Sequence, residues 1–273
     1  VPRSRVGLVS RTPTCFKTKA SSVSHQTLHI TEQQKQQFQE EGYFVLEKVV
    51  PPDHLQMLRN VCDQLVAETD AMIDSGRWQE LSGITHKGER YFIEGAYARR
   101  PELSRYLFSD YMAEVCRAAL GPTAYLFKNQ FVVKCAQTGM NFGWHQDSGY
   151  IPESHRPWLS CWCALDDVNE ENGTVYLLPC SQFGGGEIRE HVRQEETNDL
   201  IGYFGDEPGV PVIIAAGGIA IFSSATFHRS GANSSGATRR VYLAGYSPEV
   251  MPSKEGTSRQ AVPFLKAGVS VAG

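Results

Sequence analysis

Nowhere does this 273-residue chain approach the about 20 consecutive apolar residues of a membrane-spanning helix, so a membrane span is excluded on length. Excess positive charge is missing too: 26 Lys plus Arg stand against 30 Asp plus Glu, a formal net charge of −4. That balance offers no general attraction for phosphate backbones, and a nucleic-acid partner is not expected. Cysteine is present without a framework. The seven cysteines are an odd number scattered through apolar runs, which excludes a small disulfide scaffold and points to a reducing, intracellular compartment, cytoplasmic or organellar. Cys161 and Cys163 share a strand face, but no second Cys-x-Cys or Cys-x-x-Cys completes a zinc site, so they read as core thiols. A Rossmann glycine fingerprint, a P-loop and internal repeats are also absent. Residues 1–27 lack Asp and Glu and carry Arg3, Arg5, Arg11, Lys17 and Lys19 among Ser and Thr. That is the composition of a truncated transit peptide or basic disordered leader, and equally of an unstructured cloning remnant.

The chain is 41% hydrophobic and 21% charged, enough to bury a core as an ordinary soluble globule. Residues 28–273 are expected to form one domain. Thr31 and Gln34 have capping-box spacing and Gly42 marks a helix stop, followed by the strand-like Tyr43-Phe44-Val45-Leu46. Apolar residues recur at helical spacing from Leu55 to Ile73, and 101–120 reads as another helix, broken near Ser109-Asp110. The second half changes period: 124–135, 158–165, 174–178, 210–214, 219–222 and 240–246 are short, aromatic and β-branched, separated by Gly, Pro, Asn and Ser. Helices first and then many short strands, without βαβ alternation, predict a mainly β fold with flanking helices: an antiparallel sandwich or jelly roll buttressed by the N-terminal helices.

The chemistry concentrates in Asn141-Phe142-Gly143-Trp144-His145-Gln146-Asp147. In extended backbone His145 and Asp147 project to one side, where they could grip one face of a metal. His228 lies beyond the apolar strand 218–222. Two imidazoles and a carboxylate form the facial set that suits non-haem Fe(II) and leaves three adjacent positions open. Eleven residues on stands Arg239, across a loop rich in Gly, Asn and Ser; pairing of the two flanking strands would bring Arg239 and Ser230 into the cavity of His228. A guanidinium there holds a carboxylate through two charge-assisted hydrogen bonds. Strand alternation sends Arg239 and Arg240 to opposite faces, so Arg240 would face solvent if Arg239 enters the cavity, a choice that parity and family resemblance both favour.

Taken with Trp162 in Cys161-Trp162-Cys163-Ala164-Leu165 and with Asn172-Gly173-Thr174, the His145-Gln146-Asp147 and His228-x-Ser230-Gly231 patterns plus Arg239 resemble the phytanoyl-CoA dioxygenase family of Fe(II)/2-oxoglutarate oxygenases. The resemblance runs from about residue 31 to 248. It implies a double-stranded β-helix with His145, Asp147 and His228 as iron ligands and the far carboxylate of 2-oxoglutarate on Arg239 and Ser230. Gln146, Trp162 and Gln130 would line the co-substrate pocket, with Lys128 on the same strand face as Gln130. Fe(II), 2-oxoglutarate and O2 would be required, and ascorbate would support activity. Pro179-Cys180-Ser181-Gln182 departs from the family's Pro-Gly-Ser-His turn. In related halogenases the carboxylate position is Gly or Ala, so Asp147 points to hydroxylation or another chloride-free oxidation of a small-molecule or acyl substrate. The segments 86–91, 150–158 and 182–204 are candidate substrate loops, in which Lys87, Arg90 and Arg156 could receive an anionic group. A cupin-like metal hydrolase or isomerase, or a non-catalytic β-sandwich binding protein, would have no need of Ser230 and Arg239.

Overall fold

The computed structural model describes residues 28–81, 83–183, 186–252 and 261–272; the leader reading of 1–27 lies outside them. The Thr31 hydroxyl accepts from the Gln34 backbone N–H and the Gln34 side chain accepts from that of Thr31, starting helix α1 (Glu32–Glu41). The helix ends at Gly42, at φ +80°, where a Cβ would lie 2.4 Å from Thr226 Oγ1. Only glycine lets strand β1 (Tyr43–Leu46) enter the sheet there. Helix α2 (Pro52–Asp74) buries Leu58, Val61, Cys62, Leu65 and Thr69 along one face. Strand β2 (Arg90–Glu94) forms where a substrate loop was expected, because Tyr91 and Ile93 alternate into the core. Helix α3 (Ala96–Arg99) follows, and the expected break in 101–120 separates α4 (Ser104–Leu107) from α5 (Asp110–Leu120), with the Ser109 hydroxyl capping α5.

Next come β3 (Ala124–Lys134), β4 (Phe142–His145), β5 (Leu159–Ala164), β6 (Val175–Leu177), the short helix α6 (Cys180–Phe183), β7 (Val192–Arg193), β8 (Leu200–Ile201) and β9 (Val210–Pro211). The last strands are β10 (Ile219–Ser223), β11 (His228–Ser230), β12 (Arg239–Ser247), β13 (Val262–Lys266) and β14 (Val269–Ser270). An antiparallel major sheet runs β1-β10-β5-β12-β3-β13-β14, with β2 also on β3, and faces a minor sheet β4-β11-β6-β9. This is the double-stranded β-helix, a jelly roll, with helices packed on the major sheet.

Alternation builds two apolar layers around the major sheet. Phe131, Val133, Cys161, Cys163, Ile221 and Tyr242 point outward into one core with residues of α2 and α5. Val132, Trp162, Ala164, Phe222, Val241 and Leu243 point inward toward the minor sheet. A sheet covered on both faces explains why its strands read as nearly continuous apolar runs. Cys161 and Cys163 are free, buried core thiols on the outward face. No helix among the described residues is long and apolar enough to cross a membrane.

One expectation fails: β11 and β12 do not pair. β11 lies between β4 and β6, whereas β12 lies between β3 and β5. The Gly/Asn/Ser loop carries the chain from one sheet to the other, and Ser230 and Arg239 line the same cavity because the two sheets face each other.

Candidate active site

Antiparallel pairing of β4 with β11 makes His145 and His228 direct cross-strand partners, with ring centroids 4.1 Å apart. His145 Nδ1 donates to the Gly143 carbonyl at 2.9 Å and His228 Nδ1 to the Thr226 carbonyl at 3.1 Å. A carbonyl only accepts, so each Nδ1 carries the proton and each Nε2 keeps its lone pair. Asp147 begins a 3₁₀ turn two residues beyond His145, its Oδ1 lying 3.9 Å from His228 Nε2. One ligand atom from each of the three residues lies within 4.8 Å of the others, and all three side chains are buried.

The protonation states suit a metal. Burial, with the neighbouring His228, holds His145 well below its ordinary 6.5, and burial also lowers His228. Burial alone would raise the Asp147 carboxyl, but the Lys128 ammonium, the two imidazoles and the Ser160 hydroxyl outweigh it and hold it at about 2. Near neutral pH the cluster is therefore two neutral imidazoles and one carboxylate, the donor set that fits a ferrous ion. Ser160 is a residue the sequence reading missed. It donates to Asp147 Oδ2 at 2.6 Å and leaves Oδ1 toward the imidazoles.

The three donors open onto a cavity of about 550 Å³ that Gln130, Trp162, Ser230 and Arg239 also line. Arg239 is 1% exposed, yet its Nε and Nη1 have no hydrogen-bond partner among the described residues. Its Nη2 donates to the carbonyl of Gly173, whose φ of +78° and contact with the Gly231 carbonyl exclude a side chain. Trp162 covers the guanidinium, 5.5 Å from ring centroid to Cζ. Burial pushes Arg239 down to about 10, still a cation at neutral pH. Beside it lies Lys134, also missed, whose Nζ donates to Ser230 Oγ at 2.8 Å and to the Gly231 carbonyl. A buried guanidinium with two nitrogens unspent among the described residues, beside the Lys134 amine and the Ser230 hydroxyl, fits the far carboxylate of a diacid such as 2-oxoglutarate.

Other expected site residues lie elsewhere. Gln146 does not line this cavity: its Nε2 donates to the carbonyls of Glu187 (2.8 Å) and Ala225 (2.6 Å), and its Oε1 accepts from the Arg189 N–H. Alternation between His145 and Asp147 turns it to the opposite side, where it ties down the excursion after α6. Arg90 is buried and pairs with Asp199 through two nitrogens at 2.9 and 3.2 Å, pinning that excursion to β2. Lys87 pairs with Asp74, while Arg156 is exposed and absent from the cavity lining. Arg240 bridges Asp166 and Asp63 instead of projecting freely into solvent.

Fold and cavity together define a jelly-roll protein of the kind that carries a two-histidine, one-carboxylate cluster at one end of its barrel. The family model described as phytanoyl-CoA dioxygenase (PhyH) matches residues 38–241, and the chain belongs to that family. It is 24% identical over 258 residues to phytanoyl-CoA dioxygenase domain-containing protein 1 of Danio rerio, covering 78% of this chain and 88% of that protein. It is 26% identical over 221 residues to ectoine dioxygenase of Bordetella parapertussis, covering 73% and 70% respectively. The crystal structure of EvdO2 from Micromonospora carbonacea var. aurantiaca complexed with 2-oxoglutarate superposes with a TM-score of 0.65 at 20% identity, covering 82% of this chain and 93% of that one.

Proposed function

We propose that this chain is a non-haem Fe(II)/2-oxoglutarate-dependent dioxygenase that oxidises a C–H bond of a small molecule, releasing succinate and CO2. The observation that carries this reading is a His145–Asp147–His228 cluster opening onto the same cavity as a buried, half-satisfied Arg239. A metal hydrolase or isomerase would give that guanidinium nothing to bind.

In this reading His145 Nε2, His228 Nε2 and Asp147 hold the iron, and Ser160 orients the carboxylate. Arg239 and Ser230 receive the far carboxylate of 2-oxoglutarate, and Lys134 joins them. Trp162 and Gln130 shape the wall between anchor and metal. Ferrous iron with 2-oxoglutarate and O2 supplies the oxidant as the 2-oxo acid is decarboxylated to succinate. The chain's own work is to hold both carboxylates in register, keep the imidazoles deprotonated at Nε2, and exclude bulk water. Ascorbate would sustain activity by keeping the iron ferrous. Residues 28–273 act as one catalytic domain.

The test supplies purified protein with Fe(II), ascorbate and 2-oxoglutarate, alone and with a panel of metabolites. Succinate release and a product heavier by one oxygen identify a substrate; absence of any 2-oxoglutarate-dependent oxygen uptake refutes the assignment.

A further inference from the structure

Among the described residues three cationic side chains line the cavity, Lys128, Arg229 and Arg239, and their situations differ. Arg239 sits in the co-substrate anchor. Arg229 stacks 3.9 Å above the Tyr176 ring and donates to the Pro208 carbonyl. Lys128 forms no hydrogen bond or ion pair among the described residues. Glu94, the acidic group at the rim, is exposed and forms no ion pair with it among those residues. Its charge reaches Asp147 across the cavity, but no carboxylate is close enough to pair with it directly among those residues, so its three N–H donors are left for a ligand.

Position separates this cation from the co-substrate anchor. Along β3 the inward-facing residues are Lys128, Gln130, Val132 and Lys134 in turn. Lys134 is the cross-strand partner of Arg239, whereas Lys128 is that of Gly245, six residues along β12. At about 3.3 Å per residue, six residues separate the two backbone positions by about 20 Å. A five-carbon diacid with one end on Arg239 and the other at the metal donors has no third charged group for Lys128. Lys128 nevertheless belongs to the metal side of the cavity, since it is the foremost cation acting on Asp147 and also acts on His228. The same cavity is walled by Phe127, Ile151 and Trp158, which pack as one apolar cluster whose Phe127 adjoins Lys128 in sequence, and by Phe92 and Tyr97.

We propose that the molecule oxidised at this site is an organic anion, a carboxylate or phosphate ester on an apolar body, with its negative group paired to Lys128. The body lies against Phe127, Ile151 and Trp158, which turns its C–H bonds toward the three donors. This substrate class rests on the oxygenase reading above. It moves the anion-binding role from Lys87, Arg90 and Arg156, all engaged or located elsewhere, to a residue on the barrel wall.

The test uses anaerobic protein with Fe(II) and 2-oxoglutarate, read by the visible charge-transfer band of the ferrous 2-oxo acid complex. Hexanoate, hexyl phosphate and the neutral hexanamide serve as probes, on wild type, Lys128→Met and Lys128→Arg. Hexanoate or hexyl phosphate should perturb the band at lower concentration than hexanamide, and whichever anion binds tighter identifies the head group. Lys128→Met should weaken the anion relative to 2-oxoglutarate by about tenfold or more, and Lys128→Arg should restore most of that loss. A band that ignores both anions, responds equally to hexanamide, or shows equal losses for anion and 2-oxoglutarate in Lys128→Met overturns the inference while the oxygenase reading stands. If wild type forms no band, the oxygenase reading itself fails and the inference falls with it.

Discussion

Arg239 and Lys134 lie directly opposite one another across β12 and β3, a buried guanidinium and a buried amine on one face of the sheet, neither in an ion pair among the described residues. Burial lowers the Lys134 amine well below its ordinary 10.5, and Arg239 and Arg90 add to the effect. A buried guanidinium with no paired carboxylate costs the protein stability, and an entering dianion relieves that cost.

Arg239→Gln is expected to separate stability from binding. Affinity for 2-oxoglutarate should fall on the order of 100-fold, ~3 kcal/mol. Without ligand, the variant should unfold at a denaturant concentration no lower than wild type, because a desolvated charge has gone. Titration with 2-oxoglutarate and urea unfolding of the ligand-free protein check the two halves. Strong destabilisation with unchanged affinity would make Arg239 structural.

In the proposed reading Lys134 would act on the co-substrate through Ser230. Its Nζ donates to Ser230 Oγ, so the serine proton is left to point at the cavity carboxylate. Lys134→Met should cost about tenfold in affinity for 2-oxoglutarate. Adding Ser230→Ala to that variant should cost less than Ser230→Ala alone, the coupling expected of one hydrogen-bonded unit. Additive losses in a double-mutant cycle would contradict this.

Gln146→Ala should loosen the excursion after α6 without touching the co-substrate. Loss of its three hydrogen bonds should destabilise the protein by ~1–3 kcal/mol and expose residues 186–201 to proteolysis. Affinity for 2-oxoglutarate should stay at the wild-type value; a selective loss of that affinity would return Gln146 to the pocket.

Metal-free protein should lose stability as the pH falls below 6.5. The unfolded chain's imidazoles take up protons that buried His145 and His228 refuse, so the unfolded state gains on acidification. Asp147, at about 2 in the fold against an ordinary 3.8, contributes stability above 3.8 that is lost as the pH falls toward 2. Urea midpoints between pH 7.5 and 5.5 with chelator present should show the first slope, and His145→Gln with His228→Gln should flatten part of it. An unchanged slope in that double variant would place the titration elsewhere.

The helix caps at Thr31 and Gly42 and the strands β1, β3, β5, β6, β9, β10 and β12 were legible because their signals are local: a capping box, a glycine stop, short aromatic and β-branched runs. His145 and Asp147 on one side followed from the same alternation. That alternation also turns Gln146 to the opposite side, where its side chain is bonded to Glu187, Arg189 and Ala225, unlike the pocket position the family resemblance implied. Lys134 and Ser160 were not legible. A lysine ending Phe131-Val132-Val133 reads as a solvent-facing strand terminus, and only the opposing sheet shows that it is buried. Arg90 looked free because its partner, Asp199, lies 109 residues away in sequence.

Oxygen uptake by Asp147→Ala beside wild type, each given Fe(II), ascorbate and 2-oxoglutarate, tests the central claim most directly. Wild type should show 2-oxoglutarate-dependent uptake with matching succinate, and the variant neither, although it folds. Equal succinate from both proteins would contradict it.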